Sequence, residues 1–128
     1  MTYPSGRRVG VPGAPLSIMK AVIYCRVSSR EQEETGYSLP AQEKLITEYS
    51  IRKDLEIGKV FSVAESASGV KQRKVFTEMM EYLTKKKINI LLCEKVDRIT
   101  RNFKEAIIID DWLKEDASRQ IHFVKQNL

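Results

Sequence analysis

Four short apolar runs, separated by amphipathic stretches, constrain this chain more than any other feature. Residues 20–27 (KAVIYCRV), 56–63 (EIGKVFSV), 88–95 (INILLCEK) and 120–125 (QIHFVK) are rich in β-branched and aromatic residues and read as strands. Between them, residues 40–53, 74–86 and 102–114 place apolar side chains at helical spacing. Ala41, Leu45, Ile46 and Tyr49 mark the first helix, and Phe76, Met79, Met80 and Leu83 the second. Pro40 suits a first helical turn with Ser38 capping it, and Asn102 suits the cap of the third helix. Residues 64–73 (AESASGVKQR) read as a loop. A chain that returns to its sheet through a helix lays its strands parallel. The pattern therefore predicts an α/β fold: a mostly parallel four- or five-stranded sheet with helices on both faces.

The 128 residues suit one core, and an apolar fraction of 42% is enough to fill it. No apolar run reaches the roughly 18 residues of a membrane-spanning helix. Residues 1–18 hold three of the four prolines and lack apolar periodicity, so they read as a flexible leader to a domain over 19–128. Met19 directly precedes the first strand and is a candidate original start. The net charge of +5 favours a polyanionic partner; Arg7 and Arg8, counted in it, read as part of a solvated tail, with contact to DNA phosphates as the alternative. Cys25 and Cys93 lie inside apolar runs and read as buried, reduced thiols, which fits a cytoplasmic setting. With one histidine and no Cys-x-x-Cys pair, neither a metal nor a cofactor is expected. Asp110 and Asp111 read as solvated helix surface.

The chemistry concentrates in two segments: Tyr24 to Arg30 after the first strand, and Lys95 to Arg101 after the third. In open α/β sheets, ligands bind outside the carboxyl ends of the strands, so both segments can meet in one cleft. Arg26 and Ser28 are two residues apart and point to the same side of an extended chain. A hydroxyl beside a guanidinium suits attack on a phosphodiester: serine supplies the nucleophile and arginine grips the anion. If the second segment turns helical, Asp97 and Arg101 lie four apart and Arg98 and Arg101 three apart, offering two cations and a carboxylate to one phosphate.

Taken singly, a strand-end Arg-x-Ser is usually structural and Asp-Arg-x-x-Arg is usually a surface ion-pair group. Their joint placement is what points to a site. A cysteine-dependent phosphatase would need Cys-x5-Arg, whereas Cys25 and Arg30 give Cys-x4-Arg. No Gly-x4-Gly-Lys-Ser/Thr is present for a P-loop nucleotide site. A non-catalytic DNA-binding or regulatory module on the same fold remains the alternative.

The sequence resembles the catalytic domain of the serine site-specific recombinases, the resolvase/invertase and large serine integrase group. The likeness runs over residues 19–128 and rests on Tyr24 to Ser28, Gly36 to Gln42, Ser68-Gly69 with Arg73 and Phe76, and Asp97 to Arg101, in that order. Ile99-Thr100 inside the last motif is closer to the large members. The resemblance implies that Ser28 is the nucleophile. It implies that Arg26, Arg73, Arg98 and Arg101 surround the scissile phosphate, that Asp97 supports the site, and that Gln32 and Gln42 are polar helpers. It also implies a DNA substrate, a 5′-phosphoserine intermediate with a free 3′-hydroxyl, strand exchange in a tetramer, and no need for metal or ATP. The family continues into a long oligomerisation helix and DNA-binding domains, so this chain is expected to be a catalytic domain alone.

Overall fold

A computed structural model describes residues 19–28, 30, 38–65 and 68–127. The leader, Gln32 and the Gly36-Tyr37 pair lie outside the described residues. Strands β1 (Lys20–Ser28), β2 (Glu56–Glu65), β3 (Ile90–Cys93) and β4 (Gln120–Phe123) alternate with helices α1 (Leu39–Arg52), α2 (Val70–Lys85) and α3 (Phe103–Glu115). Short 3-10 turns follow β3 (Val96–Arg98) and β4 (Val124–Asn127). The sheet has four strands in the order β2-β1-β3-β4, and every neighbouring pair is parallel.

That order means the chain winds outward from β1 in one direction, to β2, and then in the other, to β3 and β4. Crossovers between parallel strands are right-handed, so reversing direction moves the helices to the opposite face. The two halves of the core show this split. Ala21, Ile23, Cys25, Ile90 and Leu92 pack against Ile46 and Tyr49 of α1. Val22, Tyr24, Leu91 and Cys93 pack against Phe76, Met79 and Leu83 of α2 and Ile109 and Trp112 of α3. Covered on both faces, β1 is buried from Ala21 to Val27, and from Ala21 to Cys25 its sequence is accordingly a continuous apolar run rather than an alternating one.

The helix boundaries depart from the apolar pattern where polar residues are buried. On α1 the inward stripe is Gln42, Ile46 and Tyr49, with Ala41 exposed and Leu45 partly buried. On α2 the stripe is Gln72, Phe76, Met79 and Leu83, so the helix begins at Val70, four residues before the start expected at residue 74. The part of the expected loop from Val70 to Arg73 is thus the first turn of α2. β3 is shorter than its apolar run because its pairing with β4 covers only Ile90 to Cys93. Both expected caps form: Ser38 Oγ accepts from Ala41 N–H at 3.3 Å, and Asn102 Oδ1 accepts from Glu105 N–H at 2.9 Å. Each such cap stabilises by about 1 kcal/mol. No described helix is long and apolar enough to cross a membrane.

On the outer edge of the sheet, His122 of β4 bridges to α1. Its Nε2 lies 2.8 Å from Gln120 Oε1, an acceptor, so Nε2 carries the proton and Nδ1 accepts from Tyr49 O–H at 2.8 Å. Burial, with Lys53 nearby, holds the imidazole below its ordinary value of 6.5. The folded protein therefore favours the neutral ring. That contribution is fully present above 6.5 and is lost as pH falls through 6.5 toward the lowered folded value. Between about pH 7 and about pH 5, the urea midpoint should fall further for the wild-type chain than for His122→Asn. Parallel curves for the two proteins would show that His122 does not carry this pH dependence.

Candidate active site at the carboxyl edge of the sheet

The carboxyl ends of β1 and β2 and the segment after β3 converge on one corner. Ser28, half-buried at the end of β1, is the register partner of Glu65 at the end of β2. Arg26 is 9% exposed and Glu65 is 7% exposed. Arg26 Nη1 donates to Glu65 Oε1 in a short ion pair, and Arg26 Nη2 donates to the main-chain oxygen of Thr100 at 3.2 Å. Arg101 Nε lies 3.1 Å from Glu65 Oε2. One buried carboxylate thus gathers two guanidinium groups that are 75 positions apart in the chain. Without it, two cations this close in a low-dielectric corner would repel each other strongly.

Sequence reading missed Glu65, although a signal was present. Phe61, Val63 and Glu65 share one parity in β2 and are all buried, so an acid continues the inward-facing series. In a strand end next to two arginine-bearing segments, that acid has an evident partner.

The main chain that carries Arg26 is pinned from the other face. β3 pairs with β1 only as far as Ile23, which, among the described residues, leaves the later part of β1 without a strand on that side. Gln42 occupies the gap: its Oε1 accepts from Arg26 N–H at 3.1 Å and its Nε2 donates to Arg26 C=O at 3.4 Å. Gln42 is fully buried, and its amide substitutes for a ladder neighbour.

Arg101 is held by a second polar group, also unforeseen. Glu105 Oε1 accepts from Arg101 N–H at 2.8 Å and from Gln72 Nε2 at 2.9 Å. Gln72 Nε2 in turn lies 3.3 Å from Tyr24 Oη. The chain of contacts joins β1, α2 and the start of α3 beneath the arginine. Burial pushes the Tyr24 phenol up to about 12, with the Gln72 hydrogen bond and Arg26 opposing that rise, so the ring remains a neutral structural group.

Gly69 lets Arg101 reach Glu65. Its φ is +71°, and a Cβ built on it would lie 2.6 Å from Arg101 Cζ. The left-handed backbone favours glycine there, and a side chain at this position would displace the Arg101 guanidinium. Arg73, one turn into α2, is exposed and donates through Nη1 to Ser68 C=O at 3.3 Å. Asp97 and Arg98 lie in the 3-10 turn, closed by Arg98 N–H to Lys95 C=O at 2.9 Å. This turn is too short for the α-helical spacing expected of Asp97, Arg98 and Arg101. Arg98 Nε instead approaches Glu94, at 3.4 Å, while Arg101 reaches Glu65. Structure thus brings Arg26, Ser28, Thr100 and Arg101 together around Glu65, with Arg73 beside Gly69, and gives Arg98 a separate acidic partner.

Cys25 does not act here. It is fully buried on the α1 side, and burial, aided by Glu43 and Glu94, pushes its thiol up to about 12. A thiol of that kind is not a nucleophile near neutral pH, which removes the cysteine-phosphatase alternative. Among the described residues, no group of three or more His, Cys, Asp or Glu side chains could hold a metal ion.

Residues 21–128 match the family model described as the resolvase N-terminal domain. Among solved structures, the chain is similar to the C-terminal catalytic domain of ISC1926 TnpA, an IS607-like serine recombinase. That match has 27% identity and a TM-score of 0.65, covering 84% of this chain and 70% of the other. It also shares its fold with the N-terminal catalytic domain of TP901-1 integrase, at 19% identity and a TM-score of 0.66, covering 85% of this chain and 79% of the other. No curated protein sequence matches the chain.

The contact between Gly69 and Arg101 yields a direct test. Gly69→Ala should cost about 1–2 kcal/mol for the left-handed backbone, read from urea denaturation. Its crystal structure should show Arg101 displaced from Glu65. An undisturbed Arg101–Glu65 pair would show that the glycine is not needed for this approach.

Proposed function

This chain belongs to the resolvase family of serine recombinases, and on that premise we propose that it cleaves and rejoins DNA through Ser28. The observation that carries this reading is the convergence of Ser28, Arg26 and Arg101 on one corner of the sheet. Ser28 Oγ attacks the phosphorus of a DNA phosphodiester. A phosphoserine ester forms at the 5′ side, the bond to the 3′ oxygen breaks, and that oxygen leaves as a free hydroxyl. After strand exchange within a tetramer, the new 3′-hydroxyl attacks the phosphoserine and releases the serine. One phosphoester bond is exchanged for another at each step, so the energy is conserved without ATP.

The arginines supply what such a reaction needs. Phosphoryl transfer depends mainly on positioning and on stabilising charge at the phosphoryl oxygens. Arg26 and Arg101 present fixed forks of donors that match phosphate oxygens in pairs. Arg73 and Arg98 extend the cationic surround, Asp97 supports it, and Gln42 acts by holding the main chain at Arg26. Gln32 is assigned here by the family motif alone. In the described fold Glu65 occupies the faces of Arg26 and Arg101, so a phosphate entering the corner shares or replaces that carboxylate. The large-integrase branch of the family is favoured by Ile99-Thr100 and by Gly36 to Gln42.

Covalent trapping tests the reading. On a nicked suicide duplex, the wild-type chain in its full-length protein should form a denaturation-resistant protein–DNA adduct. Ser28→Ala should abolish the adduct while DNA binding persists; adduct formation by that variant would overturn the assignment of the nucleophile. A non-catalytic DNA-binding module would bind without forming adduct in either protein. Because guanidinium groups provide the charge, adduct formation should persist in excess EDTA. A strict magnesium requirement for the cleavage step would refute the metal-free mechanism.

A further inference from the structure

We infer that Glu94 is a positioning residue for Arg98, and that it ties this arginine to the turn through which the chain leaves β4. The inference rests on the recombinase reading above for its catalytic consequence. Glu94 follows the apolar strand β3 and is 1% exposed. A buried carboxylate is strongly disfavoured unless cations meet it. Among the described residues, Glu94 meets two, from different elements. Its Oε1 lies 3.4 Å from Arg98 Nε, and its Oε2 lies 3.3 Å from Lys125 Nζ.

The Lys125 side is anchored independently of its charge. Lys125 N–H donates to the main-chain oxygen of Glu94 at 3.0 Å, and Val124 is fully buried in the α1-side core. The ammonium is therefore delivered to Glu94 by a fixed turn, although the side chain is itself half exposed. Arg98 is the opposite case, with its side chain largely buried. The two cations share one carboxylate, so the hold of Glu94 on Arg98 depends on how much of its charge Lys125 balances. Removing the ammonium tightens Arg98 onto Glu94 and withdraws it from a phosphate. Displacing the turn after β4 has the same effect, because it carries the Lys125 ammonium away from Glu94. Glu65, by contrast, pairs with Arg26 and Arg101.

Lys125→Met is the informative variant, because a half-exposed side chain can be changed without emptying the core, whereas Glu94→Gln risks misfolding. In the full-length protein, Lys125→Met should slow adduct formation on the suicide duplex by about five- to tenfold and leave duplex affinity unchanged. In an Arg98→Ala background, followed over longer incubations, the same change should have no further effect. By NMR, the Arg98 Nε–H resonance should move in Lys125→Met. Equal slowing with and without Arg98, or an unmoved Arg98 resonance, overturns the inference. If the wild-type protein forms no adduct at all, the recombinase reading fails, and the Arg98 resonance alone decides whether Glu94 links it to Lys125.

Discussion

The Glu65 carboxylate, set between Arg26 and Arg101, is the interaction on which the site depends. It joins the ends of two strands to the segment after a third. Breaking such a buried group by removing one partner typically costs about 3–5 kcal/mol, because a charge is left uncompensated. The same carboxylate offsets part of the charge of the two guanidinium groups.

Around this group the protein uses buried polar side chains as structural members. Gln42 completes the hydrogen bonding of β1 where β3 has ended. Gln72 and Glu105 carry contacts from Tyr24 to the main chain of Arg101. Each sits on the inward stripe of a helix, in or near its first turn, at the level of the site. The apolar core fixes the layers, and the polar groups fix the angles at which arginines leave them. Glu94 follows the same logic at Arg98, with the added feature that its second partner lies at the far end of the chain.

The doubly wound order explains why the corner exists where it does. With β2 on one side of β1 and β3 on the other, the connections leaving neighbouring strands turn to opposite faces of the sheet. The space between them is open at the carboxyl edge. Ser28 extends into that region because β1 and β2 run on together past the point where β3 stops.

Sequence by itself determined the layer architecture, since apolar period and strand–helix order leave few ways to bury each face. It also offered Arg26, Ser28 and Arg101 as candidates, because an alternating strand end and a short arginine motif are local patterns. The caps at Ser38 and Asn102 were legible for the same reason. Only the tertiary structure decided which charges meet. Glu65, Glu94 and Glu105 are ordinary acids in sequence, and each gains its meaning from a cation or amide that folding brings to it from another element. The first turn of α2 was hidden because Gln72, rather than an apolar residue, continues its buried stripe, and the need for Gly69 follows from a guanidinium 32 positions away. Apolar burial is non-directional and survives averaging over a window of residues, so a sequence pattern records it. Buried polar contacts are pairwise and directional, so they exist only once both partners have a place in space.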